Sequence, residues 1–216
     1  MINVNRDVTV EPIVKNAYRT IEILKALGIV FKNKCYLCEK KDTSPGIFDV
    51  EHFETQKEAV EKKYIWSNLY LACHICNGIK PKISPIEGFL DVCNPDEDVE
   101  EFIGYEFDSL EYDKPIFYTI DPSQKTKNTV KLLKKLHFGH NPNSKLRTAS
   151  LREAINSQAK KVLSTIVNYK KAANIGDRGS LQIEERNLRI HFSKESPFTM
   201  LMRSFGNEYE LQHFFD

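Results

Sequence analysis

Apolar residues recur at helical spacing through most of the second half of the chain. Over residues 144–173 they fall every three or four positions, which predicts one long amphipathic helix. A similar apolar stripe near the start predicts a helix over residues 11–27, with Gly28 as its end. The further helices predicted in the second half cover residues 126–136, 181–192 and 197–203, and Gly206 is expected to end the last of them.

The pattern between these helical regions is different, because short apolar stretches alternate with polar positions over only a few residues. Two such stretches predict a hairpin, and residues 54–64 between them are expected to form an exposed polar insertion. Residues 76–80 predict a short helix that stops near Pro81. The predicted strands cover residues 47–53, 69–72, 105–107 and 115–120. Together these elements predict an α+β fold in a mainly helical chain.

Four of the five cysteines form two CxxC pairs, Cys35 with Cys38 and Cys73 with Cys76. Two such pairs separated by about 34 residues are typical of a tetrahedral zinc site. Four thiolates fill the coordination shell of zinc, so this site is expected to be structural and to leave no position for a reacting water. Cys93 is expected to be a free, partly buried thiol.

Composition limits the possible functions without identifying one. The chain has 216 residues and a formal net charge of +1, which excludes a uniformly basic surface for nucleic acid. The absence of a long apolar run, the polar first ten residues and the metal-like spacing of the cysteines indicate a cytoplasmic protein. Residues 96–101 are acidic, which favours a solvated face. The alternatives are a mimic of DNA charge or a patch for a basic partner.

Between and just after the cysteine pairs lie residues whose chemistry suits phosphodiester hydrolysis. That reaction needs an activated water, neutralisation of charge on phosphorus and help for the departing oxygen. A neutral His52 can take a proton from water near pH 7. Glu51 and Asn77 can hold one hard divalent cation, Mg²⁺ or Mn²⁺, through oxygen ligands. The predicted hairpin and helix are expected to bring His52 and Asn77 to one cleft.

The order of these residues resembles the HNH family of ββα-metal nucleases. Residues 50–53 (VEHF), 66–69 (WSNL) and 72–80 (ACHICNGIK) carry the resemblance, which covers about a quarter of the chain. It implies that His52 is the general base and that Glu51 and Asn77 bind the catalytic metal. The catalytic residues that it implies are Glu51, His52, Asn68 and Asn77.

The same resemblance gives Asn68 the task of fixing the loop by hydrogen bonds rather than touching metal. Lys80, one helical turn after Asn77, is expected to face the phosphate backbone, and Lys82 is also assigned to nucleic-acid binding. Glu51 stands where the family most often has aspartate, so Asp49, on the same strand face, remains an alternative carboxylate ligand. His74 is expected to be a bystander, with replacement of one cysteine as a zinc ligand as the alternative.

The resemblance narrows to the PtuB-like HNH proteins of Septu-type and retron-associated antiphage defence systems. The loose motif that carries this step is the stretch TVKLLKKL over residues 129–136, followed by Arg147. It implies an ABC-type ATPase partner, PtuA-like, and a target in phage or host DNA. The isolated protein is then expected to cut DNA poorly. The other hypotheses are a non-catalytic zinc-knuckle binding module and a stand-alone restriction enzyme for modified DNA.

These expectations divide the chain into four regions. Residues 1–34 form an N-terminal helical segment, and residues 35–90 form the HNH nuclease core with its zinc knuckles. Residues 91–122 form an acidic linker region of irregular and β structure, and residues 123–216 form a C-terminal helical region. Outside the core, Trp66 is expected to anchor the hairpin by packing, and His137 and His140 are expected to be structural.

Overall fold

The protein combines seven α-helices with two small antiparallel sheets in the residues that its computed structural model describes, which are 1–6, 12, 14–43, 46–108, 114–139 and 141–216. The helices are α1 Ile21–Val30, α2 His74–Ile79, α3 Val99–Phe102, α4 Gln124–Phe138, α5 Pro142–Ile175, α6 Arg178–Phe192 and α7 Thr199–Glu208. The strands are β1 Phe48–His52, β2 Leu69–Cys73, β3 Ile103–Phe107 and β4 Pro115–Thr119. Short 3₁₀ turns cover Val60–Tyr64, Trp66–Asn68 and Gln212–Phe214. The predicted α+β, mainly helical class is confirmed.

The first sheet is an antiparallel pair of β1 and β2, and α2 follows β2 without a connecting loop. Its register places Glu51 opposite Tyr70 and His52 opposite Leu69. Both strands pack against α1 and α2, and every residue of β2 is buried. The predicted hairpin with a polar insertion between its strands is therefore present, and β3 pairs with β4 as a second hairpin.

The helical half is built on α5, a helix of 34 residues that packs along α6, α4 and α7. Asn141 and Ser144 form a reciprocal cap at its start, with Pro142 in the first turn, and Gly176 ends it in the left-handed conformation. Its buried stripe comprises Leu151, Ile155, Ala159, Val162 and Ile166, with other small and polar residues. None of the helices in the described ranges is long and apolar enough to span a membrane.

The helix predicted over residues 11–27 begins and ends later than expected. Thr20 caps it, because its side chain accepts a hydrogen bond from the backbone N–H of Ile23, and the helix continues through Gly28 to Val30. The described residues from 14 to 20 are not helical, while Glu11 and Ile13 lie outside the described residues. Tyr18 instead packs against His52, so a tertiary contact overrides the local helical pattern.

Gly206 was also wrongly predicted to end its helix, since α7 runs past it to Glu208. A Cβ atom at Gly206 would lie 2.5 Å from the ring of Phe215, and one at Gly28 would lie 2.8 Å from the side chain of Asn33. Both glycines therefore let a neighbouring side chain pack closely against the helix, and neither ends its helix. The start of α7 also differs, because Phe198, in the left-handed conformation, precedes it.

Candidate metal centre and catalytic cleft

The four cysteines of the CxxC pairs form one buried cluster. Their sulfur atoms all lie within 4.8 Å of one another, and the Sγ atoms of Cys38 and Cys73 are 3.8 Å apart. A tetrahedral zinc ion with Zn–S bonds of about 2.3 Å requires sulfur–sulfur separations of about 3.8 Å. The cluster Cys35, Cys38, Cys73 and Cys76 therefore has the donor set and spacing to hold a metal ion such as zinc.

Three segments of backbone bring these sulfurs together. Cys35 and Cys38 lie in the turn after α1, where the N–H of Tyr36 donates to the carbonyl of Leu71 on β2. Cys73 ends β2, and Cys76 lies in α2. Hydrogen bonds among the buried thiols raise the pKa of Cys38 and lower that of Cys73, so a thiolate is already favoured within the cluster. A bound cation would extend that preference to all four sulfurs.

His52 ends β1 and is buried, with both ring nitrogens engaged. Its Nε2 lies 2.9 Å from the carbonyl oxygen of Lys63, and the Nε2 amide of Gln56 donates to its Nδ1 at 3.2 Å. A carbonyl can only accept, so the proton resides on Nε2 and the lone pair on Nδ1. Burial lowers the pKa of His52 from its usual 6.5, which favours the neutral ring. The rings of Tyr18 and His52 form a T-shaped pair with their centroids 4.5 Å apart.

His52 and Asn77 line the same cleft, which has a volume of about 230 Å³. Three exposed cationic residues also line this cleft: Arg19, Lys57 and Lys82. The cleft therefore joins a neutral imidazole and an amide with three cationic side chains that can meet phosphate. Arg19 and Lys57 were not predicted as site residues, because nothing in their local sequence links them to the hairpin.

Glu51 and Lys80 belong to the wall of the same cleft as His52 and Asn77, but their charged groups are paired with each other. The ammonium of Lys80 donates to Glu51 Oε1 at 2.6 Å and to the backbone carbonyls of His52 and Phe53 at 2.9 and 2.7 Å. The hydroxyl of Tyr36 donates to Glu51 Oε2 at 2.9 Å. Both residues are only 6% exposed, and burial raises the pKa of Glu51 against the opposing effect of Lys80.

The expectation that Lys80 faces the phosphate backbone therefore requires correction, whereas Glu51 as a metal ligand stays a prediction. Lys80 faces inward as the counter-ion of Glu51, and both oxygens of Glu51 already have partners. The buried pair joins the end of β1 to the end of α2. Lys80 also holds the backbone carbonyls of His52 and Phe53 in place. Tyr36 extends this connection to the first cysteine pair. The sequence motif does not identify this role of Tyr36, because its position between two cysteines gives no sign of its hydrogen bond to Glu51.

Asp49 is a partly buried residue of β1 that lies beside Asn77. Asp49 Oδ2 accepts hydrogen bonds from Asn77 Nδ2 at 2.9 Å and from His74 Nδ1 at 2.7 Å. His74 is exposed, and its hydrogen bond to Asp49 raises its pKa. Its ring is thus committed to Asp49 rather than to the cysteine cluster. Among the described residues, Asp49 Oδ1 and Asn77 Oδ1 accept no hydrogen bond, which leaves two oxygen donors for a cation.

Asn68 closes the insertion between the strands. Its side chain accepts from the N–H of Glu54 at 2.7 Å and donates to the carbonyls of Glu54 and Lys62 at 3.0 and 3.3 Å. It is 5% exposed, so these bonds are sheltered from water. Asn68 thereby fixes the loop whose Lys63 carbonyl orients His52, as the resemblance implies. Trp66 is buried and lies near the guanidinium of Arg6, which agrees with a packing role.

The remaining predicted structural residues have separate places. Cys93 is half-buried and apart from the cysteine cluster. His137 is fully buried against the ring of Phe117 at 4.7 Å, in keeping with a structural role, and His140 lies outside the described residues. Thr129 is buried, and its hydroxyl accepts from the N–H of Leu90 at 2.9 Å.

No protein-family model, characterised protein or solved structure matches this chain. The functional assignment therefore depends on the chemistry of the cleft and the cysteine cluster themselves.

Proposed function

We propose that this protein is a metal-dependent HNH endonuclease that hydrolyses phosphodiester bonds of DNA. The observation that carries the proposal is the state of His52. It is a buried, neutral imidazole with a fixed tautomer, in a cleft shared with Asn77 and next to a zinc-type cysteine cluster. A hairpin followed directly by a helix, with the sulfurs at its base, supports the assignment of a ββα-metal core.

The first requirement of the reaction is a base that can deprotonate water. The Lys63 carbonyl holds the His52 proton on Nε2. The lone pair on Nδ1 therefore points to the place that the side-chain amide of Gln56 now occupies. Gln56 is exposed, so its amide can be replaced there by the attacking water. Because burial keeps the ring neutral, His52 can accept the proton of that water near pH 7.

The second requirement is a divalent cation, Mg²⁺ or Mn²⁺, at the reacting phosphate. Asp49 and Asn77 would hold it through their open oxygens, since Glu51 is engaged by Lys80 and Tyr36. Oxygen donors with room for water suit these hard ions. When bound, the ion neutralises phosphate charge and stabilises the departing 3′ oxygen. Arg19 and Lys82 at the cleft would position the DNA backbone.

Zinc in the cysteine cluster would have a structural role, because four thiolates leave it no open position. The ion would join the turn after α1, the end of β2 and the start of α2. Tyr36, between Cys35 and Cys38, connects this cluster to Glu51 and hence to the backbone beside His52. Loss of zinc is therefore expected to disorder the cleft as well as the cluster.

We further propose that the nuclease is the effector of an antiphage defence system and is controlled by an ABC-type ATPase, as its PtuB-like motifs imply. The buried Thr129 and the apolar positions of residues 129–136 belong to the packing of α4, so this motif supports the fold more than a partner contact. Arg147 is exposed and available to a partner.

The test is a plasmid-nicking assay with Mg²⁺ or Mn²⁺, comparing wild type with His52→Ala. His213→Ala is the matched control, because His213 is an exposed histidine on the last 3₁₀ turn, outside the cleft. Loss of a general base is expected to reduce cutting about 10²–10⁴-fold in His52→Ala, whereas His213→Ala should cut like wild type. Equal cutting by wild type and His52→Ala would contradict the proposal and favour a zinc-knuckle binding module.

A further inference from the structure

The net charge of +1 conceals a strong separation of charge along the chain. Residues 124–192, from the start of α4 to the end of α6, contain fifteen lysines and arginines but only four acidic residues, a formal charge of +11. The rest of the chain therefore carries −10. A polyanion that contacts only the helical half would meet a strongly basic protein.

The first helix of this basic half concentrates its charge on one face. Lys127, Lys131, Lys134 and Lys135 are all exposed, and their spacing places them within about a quarter to a third of the helix circumference. The opposite face is buried. The sequence of α4 contains no acidic residue, and within the described part of the chain none of the four lysines forms a salt bridge. Lysines three and four residues apart repel each other, so this face is destabilising unless an anion covers it.

A short connection after α4 leads the chain into α5, whose first turns carry further basic residues. Lys145 and Arg147 are exposed in the first turns of that helix, just after the α4–α5 connection. Arg147 lines a groove together with Gly78 and Ile79 of α2, the helix whose Asn77 lines the His52 cleft. We name the set Lys127, Lys131, Lys134, Lys135, Lys145 and Arg147 the basic elbow. It lies on helices that pack directly against the catalytic hairpin–helix unit.

We propose that the basic elbow binds the phosphate backbone of duplex DNA whose neighbouring segment occupies the His52 cleft. The choice of DNA rests on the proposed nuclease function and on the groove that joins the elbow to α2. Lys127 to Lys135 spans about 12 Å of helix, and duplex DNA carries one negative charge per about 1.7 Å of its axis. Several phosphates can therefore face the stripe at once. Contacts of this kind give affinity without sequence specificity.

The test measures binding of a fluorescein-labelled 30-base-pair DNA duplex by anisotropy, without Mg²⁺ or Mn²⁺, over a series of salt concentrations. The variant Lys131→Gln, Lys134→Gln, Lys135→Gln removes three charges from the elbow. Loss of three phosphate contacts should weaken binding at least tenfold at 0.1 M salt and reduce the slope of log K against log salt by about 2–3. The matched control is Lys160→Gln, Lys161→Gln, Lys171→Gln, which removes three exposed charges from α5, roughly 20–40 Å along the helix from Lys145.

If DNA binding depends on where the charges lie, the control variant should bind DNA nearly as well as wild type. Equal weakening by both triple variants would overturn the proposal in favour of bulk charge, and unchanged binding by the elbow variant would overturn it in favour of an acidic protein partner. The result is independent of catalysis, because no cutting metal is present. If DNA binding depends on the elbow but His52→Ala cuts like wild type, this inference stands and the nuclease proposal fails. If His52→Ala loses cutting but the elbow variant binds DNA like wild type, the nuclease proposal stands and this inference fails.

Discussion

Replacement of Lys80 by methionine tests whether the buried Glu51–Lys80 pair holds the end of β1 to α2. Methionine fills a similar volume but leaves the Glu51 carboxylate buried without its counter-ion, and the carbonyls of His52 and Phe53 without a donor. Breaking a buried ion pair on one side costs about 3–5 kcal/mol. Because both side chains are almost fully buried, we expect Lys80→Met to lose about 4 kcal/mol of unfolding free energy at pH 7.

The sign of the pH dependence follows from Glu51. Burial already raises the pKa of Glu51, and removal of Lys80 raises it further. The folded variant therefore keeps Glu51 protonated, whereas Glu51 in the unfolded chain ionises above a pH of about 4.3. The stability of Lys80→Met should therefore fall by about 1.4 kcal/mol per pH unit as pH rises from that value towards the folded-state pKa of Glu51. In wild type Lys80 opposes the effect of burial on the pKa of Glu51, so the slope should end at a lower pH than in the variant.

Urea unfolding in zinc-containing buffer, completed as a double-mutant cycle with Glu51→Gln, measures the pair. The double variant has no buried charge left, so it should be more stable than the sum of the single losses implies, by at least about 2 kcal/mol. Additive losses, or a loss below about 1 kcal/mol in Lys80→Met, would refute the reasoning. If Glu51 instead bound the catalytic cation, Lys80→Met would leave the fold nearly intact and tighten Mg²⁺ binding.

Three other predictions concern single residues. The nicking rate should rise with pH through a midpoint below 6.5, because burial lowers the pKa of His52, and a midpoint above 6.5 in the pH–rate profile would argue against His52 as the base. Burial lowers the pKa of His137 to about 3, so wild-type stability should fall by up to about 1.4 kcal/mol per unit as pH drops below 6.5. His137→Leu should reduce that slope in urea unfolding, and an unchanged slope would exclude His137 as its source. Asn68→Ala should cost about 2–4 kcal/mol in the same assay and also slow nicking, because the loop that holds the Lys63 carbonyl loosens. Full activity with intact stability would contradict this.

The sequence was informative wherever local spacing decides the structure. Two CxxC pairs indicate shared metal ligation, and the buried clustering of all four sulfurs agrees with that expectation. The alternation of residues 47–53 and 69–72 indicated the hairpin, and helical spacing indicated α4, α5 and α6. Short-range patterns sufficed here because a turn, a strand pair or an amphipathic helix depends mainly on neighbours in the chain.

Side-chain direction and long-range partners were not accessible in the same way. The motif placed Lys80 one turn after Asn77, but only the packed structure shows that its ammonium turns inward to Glu51. Tyr18 and Gln56 contact His52 from segments with no recognisable pattern. Gly28 was read as a helix end because glycine usually has that role, whereas here it allows close approach of Asn33.

The net charge of the whole chain does not show how its charges are distributed. A total of +1 argues only against a uniformly basic surface, and the basic elbow belongs to a segment with a formal charge of +11. A charge count by segment shows this from the sequence alone, and the structure adds that the lysines are exposed and that α4 and α5, which carry them, pack against α2.

The most direct test of the central claim is zinc content and plasmid nicking measured on the same protein samples. Wild type should contain one zinc per chain and nick DNA slowly but measurably with Mg²⁺ or Mn²⁺. Cys76→Ser should lose both zinc and nicking, while His52→Ala should keep its zinc and its fold but lose nicking. A zinc-loaded, folded His52→Ala protein that nicks as fast as wild type would contradict the account.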